Sequence, residues 1–229
     1  MFDRRSVLKK VQLGMLVSGG GTNLQSIIDH AERGVIDAEI RVVISNVPEV
    51  FALKRAERHN IPSVVLDHRK YPHRLEFEKE LIRVLHRYDV ELVVLAGFMR
   101  VLTEHFIREF PMKIVNIHPA LLPAFPGTHV QQRALDYGVR FSGCTVHFVD
   151  EGVDTGPIII QAVVPVEPND TAETLAERIL REEHKIYPQA IQLIARGKLE
   201  VSGRLVRIRD HPSTPEASLI NPPYILSGT

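Results

Sequence analysis

The sequence predicts an α/β protein: a mostly parallel, twisted sheet flanked by helices. Three observations predict it. Short apolar runs alternate with amphipathic helical stretches from about residue 11 to residue 117, the βαβα order that builds a parallel sheet. The run Leu92-Val-Val-Leu-Ala96 is apolar throughout, as a strand covered on both faces requires. The first run stops at Ser18-Gly19-Gly20-Gly21, directly before a helical stretch, which marks a tight strand-to-helix turn.

The elements follow in order. Val11–Val17 is the first strand. Leu24, Ile27, Ile28 and Ala31 mark one face of the first helix, closed by Gly34 just past its end. Residues 39–45 read as the second strand, 49–59 as the second helix and 63–66 as the third strand. Arg74–Arg87 is a long helix with Leu75, Leu81, Ile82 and Leu85 on its apolar side. Residues 92–96 are the fourth strand, 103–109 a helix ending at Pro111, and 113–117 the fifth strand. The texture then changes. Residues 119–127 hold three prolines and a glycine and form a loop. Val130–Tyr137 is a helix, and 143–149 and 158–166 are strands around an acidic, glycine-bearing turn. Residues 171–197 are helical, interrupted or kinked at Pro188. Residues 199–201 and 205–208 form a small hairpin across Ser202-Gly203-Arg204, and 210–229 read as an irregular tail. No repeat or linker divides the 229 residues, so one domain is expected.

Composition narrows the function. Lys+Arg and Asp+Glu are both 28, without the basic excess that electrostatic nucleic-acid binding uses. The lone Cys144 excludes an intramolecular disulfide and a CxxC site. No apolar run approaches the ~20 residues of a membrane helix, and the start of the chain lacks the length and cleavage pattern of a secretory signal. A cytoplasmic enzyme or binding protein, with no nucleic-acid or membrane partner, is the expectation.

Three constellations could carry chemistry. At Ser18–Asn23, glycine lets the backbone approach a ligand at a helix start, where free N–H groups favour an anion. The third glycine of GxGxxG is missing, no acidic residue ends the second strand, and no P-loop lysine follows. A monophosphate fits better than a dinucleotide or triphosphate. The competing reading is a helix merely capped by Thr22 or Asn23. In Asn116-Ile-His118-Pro119, residues i and i+2 share a strand face, so an amide and an imidazole point together. They lie at a strand's carboxyl end and suit a developing oxyanion and a proton transfer; the competing reading is a loop-anchoring Asn beside a hydrogen-bonded His. In Asp150–Pro157, acidic residues occupy a tight turn; either they form the turn or one delivers a carboxylate that favours the imidazolium. No metal is expected: His118, His129 and His147 lack HExxH-like spacing. No GxSxG elbow is present either.

Leu95-Ala-Gly-Phe-Met-Arg-Val-Leu102, Asn116-Ile-His-Pro-Ala-Leu-Leu-Pro123, His147 through Pro157, the Gly21-Thr22-Asn23 turn and Glu183-His-Lys-Ile-Tyr-Pro188 together resemble the phosphoribosylglycinamide formyltransferases over residues 11–207. The resemblance implies a Rossmann-like formyltransferase fold and transfer of a formyl group from 10-formyltetrahydrofolate, as co-substrate, to the amine of glycinamide ribonucleotide in purine synthesis. It implies that Gly21, Thr22 and Asn23 hold the phosphate, and that Leu180, Arg181, Glu182 and above all Glu183 hold the ribose. Arg74, Met99, Arg100, Val101, Leu102, Asn116 and the turn Asp150, Glu151, Gly152, Val153 and Asp154 would line the folate site. Asn116, His118 and Asp154 would be the catalytic trio. Family members alternate between Ser and Thr at Thr22 and between Gly and Thr at Thr155, so neither departs from the pattern. The resemblance further implies a cis peptide at Leu122–Pro123. On this reading residues 11–110 carry the phosphate site, 111–209 the catalytic and folate site, and 1–10 and 210–229 receive no role. The partners are small molecules, and the chain is a monomer or homodimer. Two rivals share the fold: a formyltetrahydrofolate hydrolase, which usually carries a further N-terminal regulatory domain, and a non-catalytic folate or phosphate binder. Methionyl-tRNA formyltransferase resembles a longer chain with a basic C-terminal domain.

Overall fold

The computed structural model describes residues 9–210. The expected tail, apart from Asp210, and the charged segment before Lys9 lie outside the described residues. Alternation is observed from the first strand on: β1 (Val11–Val17), α1 (Thr22–Glu32), β2 (Ala38–Ser45), α2 (Phe51–Arg58), β3 (Ser63–Val65), α3 (Arg74–Arg87), β4 (Leu92–Leu95), α4 (Glu104–Glu109) and β5 (Ile114–His118). A single 3-10 turn, His68–Lys70, capped by Asp67, was not foreseen. Then come α5 (Val130–Tyr137), β6 (Phe141–Phe148), β7 (Ile158–Pro165), α6 (Ala172–Ala195), β8 (Leu199–Ser202) and β9 (Leu205–Ile208).

The strands form one sheet of order β3-β2-β1-β4-β5-β6-β7, with β8 and β9 in a separate hairpin. Pairing is parallel from β3 through β5 and antiparallel from β5 through β7. The order reverses between β1 and β4, so loops from their carboxyl ends diverge and leave a crevice.

Period-two alternation on β1 shows why the sheet is covered twice. Leu13, Met15 and Val17 join one apolar cluster with α1, α2 and α6, while Leu16 faces the cluster of α3 and α4. On α3 the buried stripe is Phe77, Leu81, Val84 and Leu85, at i, i+4, i+7 and i+8. Leu75, expected on that side, lies off the stripe and is 41% exposed.

Of the interruption or kink expected at Pro188, the interruption does not occur: helix α6 runs unbroken through it. Proline has no N–H to give to the carbonyl of residue i−4, here His184. Ser26 Oγ of α1 donates to that carbonyl instead, at 2.8 Å, so the missing helical bond becomes a contact between two helices. Next to it, the buried Tyr187 hydroxyl lies 2.9 Å from Leu95 O and 3.0 Å from Val115 O, which fixes α6 against β4 and β5.

Ser26→Ala should therefore destabilise the fold by about 1–2 kcal/mol, the cost of an unsatisfied buried carbonyl. The same change should cost much less in a Pro188→Ala background, where residue 188 can supply its own N–H. Urea unfolding of the four chains checks this; equal losses in both backgrounds would contradict it.

Candidate active site

The loop after β1 is clamped from several sides. Ser18 N–H donates to Gly97 O at 3.1 Å, and Met99 N–H donates to Ser18 Oγ at 2.8 Å, tying the loops after β1 and β4 together. Ala52 N–H donates to Gly19 O and Arg55 Nε to Gly20 O, at 3.1 and 2.9 Å. Gly21 sits at φ +71°, and a Cβ there would come 2.7 Å from Ala52 Cβ, so both conformation and packing demand glycine.

Gly21 is the N-cap of α1, and no side chain caps the helix. Neither Thr22 nor Asn23 plays the purely structural part weighed above. Asn23 instead reaches α6, with Nδ2 donating to Glu183 Oε2 at 2.7 Å. The first-turn N–H groups therefore have no side-chain partner, the condition an anion site at a helix start requires. Glu183 is 7% exposed, and burial pushes its carboxyl above the ordinary 4.5, opposed by the Asn23 hydrogen bond. Leu180 is half-buried and Arg181 exposed, while Glu182 pairs with Lys185 at 2.7 Å. Of that helical turn, Glu183 alone is buried.

The second cluster forms where the sheet changes direction. Antiparallel register sets Asn116 beside His147 and His118 beside Thr145. His118 is buried, with Nε2 2.8 Å from Phe125 O and Nδ1 3.3 Å from Asp154 Oδ2. One ring nitrogen is thus at hydrogen-bond distance from a carbonyl, and the other lies within ion-pair distance of a carboxylate. Asp154 Oδ2 also accepts from Gly127 N–H at 2.8 Å. One carboxylate therefore joins the 150–156 turn to the proline loop and to the imidazole.

The sequence reading set His147 aside as a metal ligand and used it as part of a family motif, without a role of its own; the structure gives it one. It is 2% exposed, and burial lowers its pKa, so the ring is neutral near pH 7. Its Nδ1 lies 2.7 Å from Phe148 O, an acceptor only, so Nδ1 carries the proton. Nε2 must then accept, and Asn116 Nδ2 is 3.3 Å away. That contact sets the Asn116 amide with its nitrogen inward, leaving the second N–H for a ligand. The i, i+2 relation of Thr145 and His147 was visible in the sequence; their facing partners depended on the β5–β6 register.

The proline loop is held from β6 and β7. Thr145 Oγ donates to Ala120 O at 2.7 Å and accepts from Leu122 N–H at 3.1 Å, and Gln161 Nε2 donates to Leu122 O at 2.9 Å. Leu122–Pro123 is cis. Among the residues expected at the folate site, Met99 and Val101 are 74% and 51% exposed near the crevice. Arg100 lies over the Phe77 ring at 5.6 Å. Leu102 is in the core, and Arg74, on the first turn of α3, is exposed. Asp150 organises its own turn, accepting from Gly152 N–H at 3.2 Å and Thr155 Oγ at 2.6 Å, while Glu151 and Val153 are exposed. A broader concavity of about 750 Å³ runs along α2 and the start of β3; it lacks this convergence of polar groups, so size does not identify the site. Among the described residues, no group of three or more His, Cys, Asp or Glu could hold a metal ion, and no helix is long and apolar enough to cross a membrane.

An anion-receptive helix start on one side of a crevice and an Asn–His–carboxylate group on the other define an α/β group-transfer protein. The sequence profile of the formyl transferase family matches residues 11–191. The chain belongs to that family. It is 40% identical to the phosphoribosylglycinamide formyltransferase of Haemophilus influenzae over 92% of this chain and 99% of that one. The crystal structure of glycinamide ribonucleotide transformylase 1 from Symbiobacterium toebii superposes with a TM-score of 0.86 at 50% identity, covering 87% of this chain and 94% of that one. The trifunctional purine biosynthetic protein adenosine-3 of Gallus gallus is 48% identical over 84% of this chain, which spans 19% of that protein. Within its family the chain falls among the phosphoribosylglycinamide formyltransferases.

The Glu183 environment gives a pH prediction. A carboxyl raised by folding keeps its proton to higher pH in the folded chain than in the unfolded one. Its stabilisation is full below about 4.5 and is lost as pH rises through the raised value. Glu183→Gln keeps an acceptor for Asn23 but cannot ionise. Its stability relative to the parent should climb from pH 4.5 towards neutrality in urea unfolding; a constant or falling difference would contradict the buried-carboxyl assignment.

Proposed function

We propose that the chain transfers the formyl group of 10-formyltetrahydrofolate to the amine of glycinamide ribonucleotide, giving the N-formyl nucleotide and tetrahydrofolate. The observation that carries this reading is the convergence of Asn116, His118 and Asp154 at the end of β5, in a chain of the formyl transferase family. The phosphate of the nucleotide would lie on the free N–H groups of α1, with Glu183 at its ribose. The folate would enter along Met99–Leu102, the Asp150–Asp154 turn and Arg74.

The neutral amine attacks the formyl carbon, and the carbonyl electron pair moves onto oxygen. Asn116 Nδ2–H and a protonated His118 donate to that oxyanion, where a preorganised donor lowers the barrier most. Because His118 Nε2 faces Phe125 O, its ring exchanges that acceptor for the oxyanion as the substrate seats. Asp154 stabilises the imidazolium from the Nδ1 side. When the intermediate collapses, the bond from carbon to the folate nitrogen breaks. That nitrogen takes a proton by way of His118, and the attacking nitrogen gives one up. An amine is a competent nucleophile without a Lewis acid, so the reading calls for no metal. It also calls for no nucleic acid or membrane, a cytoplasmic location, and a monomer or homodimer.

Incubation with 10-formyltetrahydrofolate, with and without glycinamide ribonucleotide, tests the reading. Formylated nucleotide and tetrahydrofolate should form only when both substrates are present. Formate released without nucleotide would favour a hydrolase, and no turnover at all would favour a binding protein.

A further inference from the structure

We propose that Arg204, at the turn of the β8–β9 hairpin, is a positioning residue for the Asp154 turn. The inference rests on Asp154 acting as the carboxylate of the transfer reaction. Arg204 Nη1 donates to Thr155 O at 2.6 Å, on the residue that follows Asp154. Arg204 also closes a small cavity of about 90 Å³ walled by Leu122, Pro123, Pro126, Asp154 and Gly156. The guanidinium thus bonds the Asp154 turn and borders the cavity that the proline loop also lines. The family profile matches residues 11–191 and does not include the hairpin.

The bonds within the turn cannot do this work. Asp150 accepts from Gly152 N–H and Thr155 Oγ, which stiffens the turn but does not fix its distance from His118. Asp154 itself lies at φ +55°, a left-handed conformation that a non-glycine residue holds only when its surroundings enforce it. Besides the two histidine rings it faces, at 3.3 Å from His118 and 3.7 Å from His147, two hydrogen bonds to other segments locate it: Gly127 N–H on its own carboxylate, and Arg204 on the next carbonyl. The hairpin is a firm base for the second. Leu199 and Val206 pack on the main apolar cluster, and Arg209 Nη2 donates to Gly197 O at the hairpin's foot. A charge-assisted bond from a seated element to the backbone beside a catalytic carboxylate aims that carboxylate.

Steady-state kinetics of Arg204→Ala, with circular dichroism and thermal unfolding as fold controls, tests the proposal. The kcat should fall about 5–20-fold with both KM values within about twofold, since a misplaced group affects chemistry more than binding. Arg204→Lys should recover part of the loss. In an Asp154→Asn background, Arg204→Ala should change the residual rate less than about twofold, because coupled positions are not additive. Unchanged kcat in Arg204→Ala, or the same loss in both backgrounds, would overturn the proposal. Normal turnover in Asp154→Asn would overturn the reading of the carboxylate itself, and is a separate outcome.

Discussion

The carboxylate of Asp154 is the joint on which the His118 side of the crevice depends. It receives the Gly127 amide and faces the His118 ring, so the 150–156 turn, the proline loop and the end of β5 are fixed by one group. Holding Asp154 in a left-handed conformation costs about 1–2 kcal/mol. A hydrogen bond to a charged acceptor returns about 1.5–3 kcal/mol, so the Gly127 bond alone is of the size needed. The Gly127 bond thus offsets the cost of the conformation by joining the turn to the proline loop.

The other half of the crevice is built on what α1 lacks. With no side-chain cap, its first N–H groups have no internal partner, and Asn23 is turned towards Glu183. The same two helices are joined a turn further on by the Ser26 bond to the carbonyl that Pro188 leaves open. Those bonds fix the spacing between the helix start and Glu183. The proposed reading, with a phosphate at one and a ribose at the other, calls for that spacing. The antiparallel β5–β6 pair does the corresponding work on the far side, where His147 turns the Asn116 amide and Thr145 holds the proline loop.

Most of the fold was legible because its central strands, β4 above all, are apolar on both faces and its helices are bounded by glycine, proline or capping residues. Arg74–Arg87 and Val130–Tyr137 were read at their observed ends. What was not legible lay in tertiary compensation. Pro188 predicted an interruption or kink in α6; the helix is continuous, and a serine from α1 takes up the carbonyl that proline leaves open. Leu75 counted as apolar, but three-dimensional packing chose the Phe77 stripe. In the site, Asn116 and His118 could be paired from strand alternation alone. The acidic turn could not be brought to His118 by spacing; family resemblance supplied Asp154, and the fold placed it 3.3 Å away. His147 was missed because its role follows from register and tautomer, and neither has a sequence signal. Arg204 was missed because a charged residue in a hairpin turn reads as solvated surface.

The most direct test is the single-turnover rate of Asp154→Asn, measured with both substrates bound in excess of their dissociation constants. The substitution keeps the size and an acceptor for Gly127 N–H but removes the charge facing His118. The chemical step should slow by about 100-fold or more, because electrostatic stabilisation matters most where charge develops, while both substrates bind as before. A rate close to that of the parent would leave Asp154 as an ordinary turn residue, and the proposed transfer mechanism would need another carboxylate.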